Sequence, residues 1–386
     1  MTRLRVRDMG IIVGELPTGE HNAITDVAGV RVGHTTLVAG EGALRPGHGP
    51  VRTGVTVVLP AQRGENLFRH KAHAAVHTIN GFGKPFGFEQ VRELGLVESP
   101  IALTNTLNVG LVADALVQYA IRQNPDIGIH TGAVNVVVGE TNDGYLNDLQ
   151  GRHVRAEHVW AAIDAAASGP VPEGNVGAGT GTICFGWKGG IGTASRVLPA
   201  EAGAFTLGAL AQSNFGRARD LTICGVPVGQ HIRALRSARP QGSIMIVLAT
   251  DAPLSSRQLW RLCVRAAAGL ARVGGHYAHG SGDFVIAFST AQRVEHEPES
   301  LTTTQVALAD ESKVMDWLFP AVVESVQEAI LNSLFCAETM VGRDDHTVYG
   351  LPVEQVVELV SQDIERKRPC ANSARNTARA KSGISR

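Results

Sequence analysis

The chain has almost no net charge. Its 35 Lys and Arg residues against 36 Asp and Glu leave −1 at pH 7, with an isoelectric point near 6.9. That balance provides no global field to draw in nucleic acid or an anionic membrane. Aromatics are sparse, at 5% of residues, and no apolar run approaches the ~20 residues of a membrane span. The opening stretch, MTRLRVRDMGIIVGELPTGEH, lacks an apolar segment of signal-peptide length. The expectation is a soluble cytoplasmic protein with neither nucleic acid nor membrane as partner. Cysteine is also scarce. Cys184, Cys224, Cys263, Cys336 and Cys370 lie far apart with no C-x-x-C pair, a pattern of reduced core packing that makes no case for disulfides or zinc.

What the chain does contain is apolar and turn-rich. Of 386 residues, 44% are hydrophobic and only 18% charged, and 44 glycines are spread along the length instead of gathered in one tract. Such a composition can bury a large core and excludes disordered and coiled-coil classes. Strand-like runs at 54–60, 132–140, 181–187 and 284–290 alternate with helical patterns at 110–125, 255–275 and 310–335, the last with Pro320 inside it. That mixture predicts an α/β or α+β layered architecture, and the absence of repeats or long linkers predicts one integrated domain. Only the last twenty residues, about 367–386, are locally basic, and they are expected to be a disordered tail.

The most strand-like run, SIMIVLAT (243–250), is apolar enough to be buried on both faces, yet it opens with a hydroxyl, Ser243. Before it stand Gly242 and a basic, proline-containing loop. A Gly-Ser bond between a loop and a rigid strand suits self-cleavage. Ser243 Oγ would attack the Gly242 carbonyl, which no side chain crowds, and hydrolysis of the resulting ester would free Ser243 as a new N-terminus. Its α-amino group, with an intrinsic pKa of about 7.7–8, would then be a base beside the hydroxyl. Local chemistry alone favours Ser243 as a simple strand start. In HGSGDFVIAFST (279–290), Ser281 and Asp283 share one face if extended, a hydroxyl and a carboxylate able to polarise a neighbouring serine, or a glycine turn capped by its own Asp. Asn214, in QSNFG, could donate its amide to an oxyanion or merely occupy a turn.

These stretches and others resemble one family. The chain is similar to the L-aminopeptidase/D-Ala-esterase/amidase and β-peptidyl aminopeptidase family, whose members mature by autoproteolysis and share an architecture with N-terminal-nucleophile hydrolases. The resemblance spans about residues 7–365 and rests on ordered motifs including NAITDVAGVRVGHTTL (22–37), IALTNTLNVG (101–110), VVGETNDGYLND (137–148), GTGTICFGWKGGIGTASR (179–196), GSIMIVLATDAPL (242–254) and AETMVGRDDHTV (337–348). It implies a four-layer αββα sandwich cut between Gly242 and Ser243 into an α chain (1–242) and a β chain (243–386). By the same resemblance Ser243 is the nucleophile, Ser281 and Asp283 assist it, and Asn214 forms the oxyanion hole. Tyr145 lines the site, and Glu140 holds the free amino group of a short peptide, amide or ester. The resemblance also implies a homotetramer of αβ units and no cofactor. The β-peptide-cleaving members have Glu where this chain has Asp283, which with Tyr145 points slightly toward α-peptide and D-amide substrates.

His70, His73 and His77 would share a helix face if helical, but no fourth ligand accompanies them, so solvent-facing or packing roles are expected. The GAGTGT run (177–182) lacks the lysine and following helix of a phosphate loop, and its glycines fit tight packing or a site wall. The competing reading keeps the fold without the hydrolase, as a binding member or an acyltransferase. The transferase relatives use Thr as nucleophile, and an inactive member would be expected to have lost Ser243, Ser281 or Asn214.

Overall fold

A computed structural model describes residues 3–232, 234, 242–309 and 313–367. The basic tail and most of the loop preceding Gly242 therefore lie outside the described residues.

Along the chain, β1 (Arg31–Ala39) and β2 (Val51–Leu59) are followed by β3 (His70–Gly81), α1 (Phe88–Leu94), β4 (Leu96–Val97) and β5 (Ile101–Asn105). Then come α2 (Val109–Gln123), β6 (Val137–Thr141), α3 (Ala156–Asp164), the short β7 (Ile183–Cys184) and β8 (Trp187–Lys188), β9 (Ile191–Val197) and β10 (Thr206–Asn214). The one-turn α4 (Val228–His231) precedes β11 (Ser243–Thr250), α5 (Ser256–Arg272) and β12 (Gly282–Glu295). The chain continues with α6 (Lys313–Phe335), β13 (Met340–Val341), β14 (Thr347–Val348) and α7 (Val353–Lys367).

The long strands make two sheets, a four-stranded one in the order β1-β2-β5-β6 and a six-stranded one in the order β4-β3-β12-β11-β10-β9. β11 and β12 run parallel, as do β5 and β6, while the other neighbours are antiparallel. Side-chain alternation along β11 explains its unbroken apolar sequence. Ile244, Ile246 and Leu248 join a core shared with α5 and α6, whereas Met245, Val247 and Ala249 join a second core shared with Val58, Ile101, Leu103 and Val137 of the other sheet. A third core, with Val57, Ala102 and Val138, covers the outer face of the four-stranded sheet beneath α2 and α3. The layers are therefore helix, sheet, sheet, helix, in one domain.

Two local determinants hold the outer helices. Ser255 caps α5, accepting from Gln258 N, while Gln258 Oε1 accepts from Ser255 N at 3.0 Å, a reciprocal capping box. The buried face of α6 carries Glu324 and Glu328, both paired with the fully buried Arg196 of β9 at 2.8 and 2.6 Å. Arg7 also pairs with Glu328, at 2.7 Å, so two cations face the two buried carboxylates and none is left uncompensated.

Some sequence expectations need correction. The 181–187 run is not one strand but the hairpin β7–β8, because Phe185 and Gly186 take positive φ of 51° and 79° and reverse the chain. The strand expected over 132–140 begins only at Val137. His70, His73 and His77 lie on β3, where helical spacing does not apply; alternation separates His70 from the other two. His70 pairs with Glu295 at 3.1 Å, and His73 is buried. Among the described residues no group of three or more His, Cys, Asp or Glu is arranged to hold a metal ion, and the described cysteines are free thiols. Among them, too, no helix is long and apolar enough to cross a membrane.

Candidate active site

Ser243 begins β11 with one residue facing it on each side, Asn214 of β10 and Gly282 of β12. The three meet at the end of the six-stranded sheet, and strand register, not a loop, fixes their relative positions. Ser243 Oγ donates to the carbonyl oxygen of Gly242 at 2.8 Å. The Gly282 amide points at the same pair, 3.3 Å from Ser243 Oγ and 3.2 Å from Gly242 O. The hydroxyl, the carbonyl of the preceding peptide and an N–H donor are thus gathered within hydrogen-bonding distance.

Gly242 is needed here for space. A Cβ at that position would stand 3.0 Å from Ser281 Oγ and 3.1 and 3.2 Å from Cβ and Cα of Phe215. Ser281 Oγ in turn donates to Asp283 Oδ1 at 2.6 Å. The two residues do share one side of the extended chain, as their spacing predicts. Asp283 is fully buried; its Oδ2 accepts no hydrogen bond, and burial pushes the carboxyl up to about 6, against the opposing effect of the Ser281 hydroxyl. This hydroxyl-carboxylate pair reaches the Gly242–Ser243 junction from the Gly242 side.

Asn214 closes the other side. Its Oδ1 accepts from Ile183 N at 2.9 Å and its Nδ2 donates to Asn142 O at 2.9 Å, so both ends of the amide are fixed by backbone. Ile183 belongs to the β7–β8 hairpin and Asn142 to the loop after β6, which ties the two sheets together at the site. Asn214 also lines a cavity of about 790 Å³, together with Leu107, Asn142, Tyr145, Ile183 and Arg343. That volume falls within the range of small-molecule sites. Ser243 itself is buried and does not form its wall.

Tyr145 stands on the cavity wall with its ring stacked on His346, centroids 4.2 Å apart and planes 9° from parallel. His346 Nδ1 donates to Tyr145 O at 2.8 Å, so ring and backbone are held by one partner. Glu140, on β6, is buried; its carboxylate accepts from Lys84 N at 2.9 Å and from the Thr106 hydroxyl. Glu140 does not itself line the cavity, although Leu107, next to Thr106, and Asn142, two residues beyond Glu140, do.

One buried cation escaped the sequence reading. Lys188, at the end of β8, is fully buried and donates to Gly179 O at 2.9 Å and Gly189 O at 2.6 Å, pinning the glycine-rich run to the hairpin that holds Asn214. Burial lowers its amine to about 7. The signal was its place inside GTGTICFGWKGG, where a lysine among small residues has no solvent to reach. Of the glycines before it, Gly177, Gly179 and Gly181 serve packing, a Cβ on each standing 2.3, 2.4 and 2.2 Å from a neighbouring atom, while Gly186 lies on the cavity surface with Ile183.

The arrangement therefore offers a hydroxyl on a peptide carbonyl, backbone and amide donors beside it, a buried acid, and an adjoining cleft. A family model described as Peptidase family S58 matches residues 22–348. The chain belongs to peptidase family S58. It is 42% identical over 365 residues to the β-peptidyl aminopeptidase of Sphingosinicella microcystinivorans, covering 90% of this chain and 89% of that one. Among solved structures, a protein from Pyrococcus horikoshii OT3 is 48% identical with a TM-score of 0.89, over 93% of this chain and 99% of that one. The L-aminopeptidase D-Ala-esterase/amidase of Ochrobactrum anthropi, described as a variant of the Ntn hydrolase fold, is 40% identical with a TM-score of 0.85, over 93% and 98%. This S58 peptidase is an aminopeptidase of the Ntn-hydrolase type. Membership and relatives together set aside the non-hydrolytic reading.

Proposed function

We propose that this aminopeptidase makes its own nucleophile by cleaving the bond between Gly242 and Ser243. The observation that carries the proposal is the 2.8 Å approach of Ser243 Oγ to the Gly242 carbonyl, with the Gly282 amide on both atoms. Oγ adds to the Gly242 carbonyl carbon, the C–N bond breaks and its nitrogen takes a proton, leaving an ester between Gly242 and Ser243. Water hydrolyses the ester, giving an α chain ending in the Gly242 carboxylate and a β chain starting at Ser243. The new ammonium forms beside Ser281, and the unpartnered Oδ2 of Asp283 is a buried acceptor for the charge.

Cleavage removes the carbonyl that holds Ser243 Oγ and opens the hydroxyl toward the cleft lined by Asn214. In turnover, Oγ attacks the substrate carbonyl while Ser281, Asp283 and the α-amino group manage its proton. Asn214 and neighbouring backbone N–H groups stabilise the oxyanion, and the acyl-enzyme on Ser243 releases an amine and is then hydrolysed. Glu140 receives the substrate ammonium, restricting cleavage to the first residue, and Tyr145 packs against it. Substrates are short peptides, amino acid amides or esters with a free amino terminus. The relatives' named activities span β-peptides and L- and D-residues; Asp283 and Tyr145 favour α-peptides and D-amides here. The working assembly is a homotetramer of αβ units in the cytoplasm. Hydrolysis of alanine p-nitroanilide by the wild type and its loss in Ser243→Ala tests the nucleophile; equal activity in both removes it.

A further inference from the structure

Arg343 is the cation among the described residues that line the cleft. It sits between β13 and β14, and its backbone amide donates to Leu146 O at 2.9 Å. The preceding Gly342 packs so closely that a Cβ would stand 2.2 Å from the same carbonyl, so no other residue fits there without moving the hairpin off the Tyr145–Leu146 loop. Held there, Arg343 forms part of the wall of the cavity that Tyr145 and Asn214 line. Its Nε is buried and makes no hydrogen bond, and its ion contact, to Asp344 Oδ2, is 3.9 Å long. Asp344 is anchored through its other oxygen, Oδ1, which accepts from Leu44 N at 2.8 Å. The other charged lining residue, Asp148, is consumed by the amides of Gly47, Gly49 and Gly151 and by His153 at 2.9 Å.

A planar guanidinium held at the wall of a peptide-sized cleft, with a buried unpartnered N–H, matches a carboxylate. In a short peptide bound by its ammonium near Glu140, the anion at the far end is the terminal carboxylate. We infer that Arg343 is a carboxylate subsite, which makes di- and tripeptides with a free C-terminus better substrates than the same peptides amidated. The inference rests on the proposed reading of this cleft as the substrate site.

The test measures kcat/KM for alanyl-alanine and alanyl-alaninamide with wild type, Arg343→Met and Arg343→Lys. In the wild type the free peptide is preferred. In Arg343→Met the ratio of peptide to amide falls ~10–100-fold, chiefly through KM of the peptide, as expected for loss of a charge-assisted contact, and Arg343→Lys lies between. A ratio unchanged by Arg343→Met overturns the inference. If Arg343→Met fails to mature, the wild-type ratio decides: a peptide no better than its amide also overturns it. Failure of the underlying reading looks different, since wild type would then cleave neither substrate, or Ser243→Ala would cleave both.

Discussion

Asn214 faces Ser243 directly across the β10–β11 ladder, with its amide held by Ile183 N and Asn142 O at 2.9 Å each. A donor fixed by backbone in this way costs no reorganisation when charge develops beside it. Replacing Asn214 by Ala should lower kcat of the processed enzyme by ~10²–10³ with a small change in KM, the range found for removal of one oxyanion donor. Steady-state kinetics on an aminoacyl p-nitroanilide reads this, and an unchanged kcat takes Asn214 out of the reaction.

Asp283, raised from 3.8 to about 6, gives the precursor a pH signature. The ionised carboxylate is the form that accepts from Ser281, so self-cleavage should accelerate as pH rises through about 6 and level off above it. Asp283→Asn should remove that limb. Stability runs the other way. The folded precursor binds more protons than the unfolded chain between pH 4 and 6, so the buried carboxyl favours folding least above its folded pKa. In the uncut Ser243→Ala background, Asp283→Asn should therefore be more stable at pH 8, by on the order of 2–3 kcal/mol, with the advantage vanishing toward pH 4. Denaturant melts at both pH values check the sign.

Gly242 leaves no room for a side chain between Ser281 and Phe215. Gly242→Ala should slow processing at least ~10-fold, because the methyl displaces the carbonyl from Ser243 Oγ by tenths of an ångström in a step that depends on alignment. A time course of uncut chain on denaturing gels measures it; processing at the wild-type rate would show that the fit around Gly242 is irrelevant.

Much of this site was legible along the chain, and what was not has a physical reason. A hydroxyl opening an apolar run marked Ser243, and the two-residue spacing of Ser281 and Asp283 placed them on one side of an extended segment. The pairing of β11 with β12 on one side and β10 on the other could not be read, because it joins segments tens of residues apart. The β7–β8 hairpin was hidden by Phe185, an aromatic residue in a left-handed conformation that favours glycine or asparagine. Lys188 and Arg343 were missed because their importance lies in burial and in which neighbours are already occupied, neither of which a spacing pattern records.

Glu140 is buried with its oxygens on Lys84 N and the Thr106 hydroxyl. Glu140→Gln keeps the shape and removes the charge, so kcat/KM for substrates with a free amino group should fall ~10–100-fold, mainly in KM. N-acetylated analogues, which carry no ammonium and are not cleaved, should inhibit the wild type and the variant to the same extent. An equal loss of affinity for both classes of ligand would place Glu140 in scaffolding and not in recognition.

The central claim, that Ser243 becomes an N-terminal nucleophile by cutting its own chain, is tested by intact mass spectrometry of the denatured wild-type protein beside Ser243→Ala. The account predicts two wild-type species, of 242 and 144 residues, whose masses sum to the 40.8 kDa chain plus one water, the smaller beginning with serine, and a single uncut chain for the variant. A wild type that stays whole while hydrolysing aminoacyl substrates would contradict it.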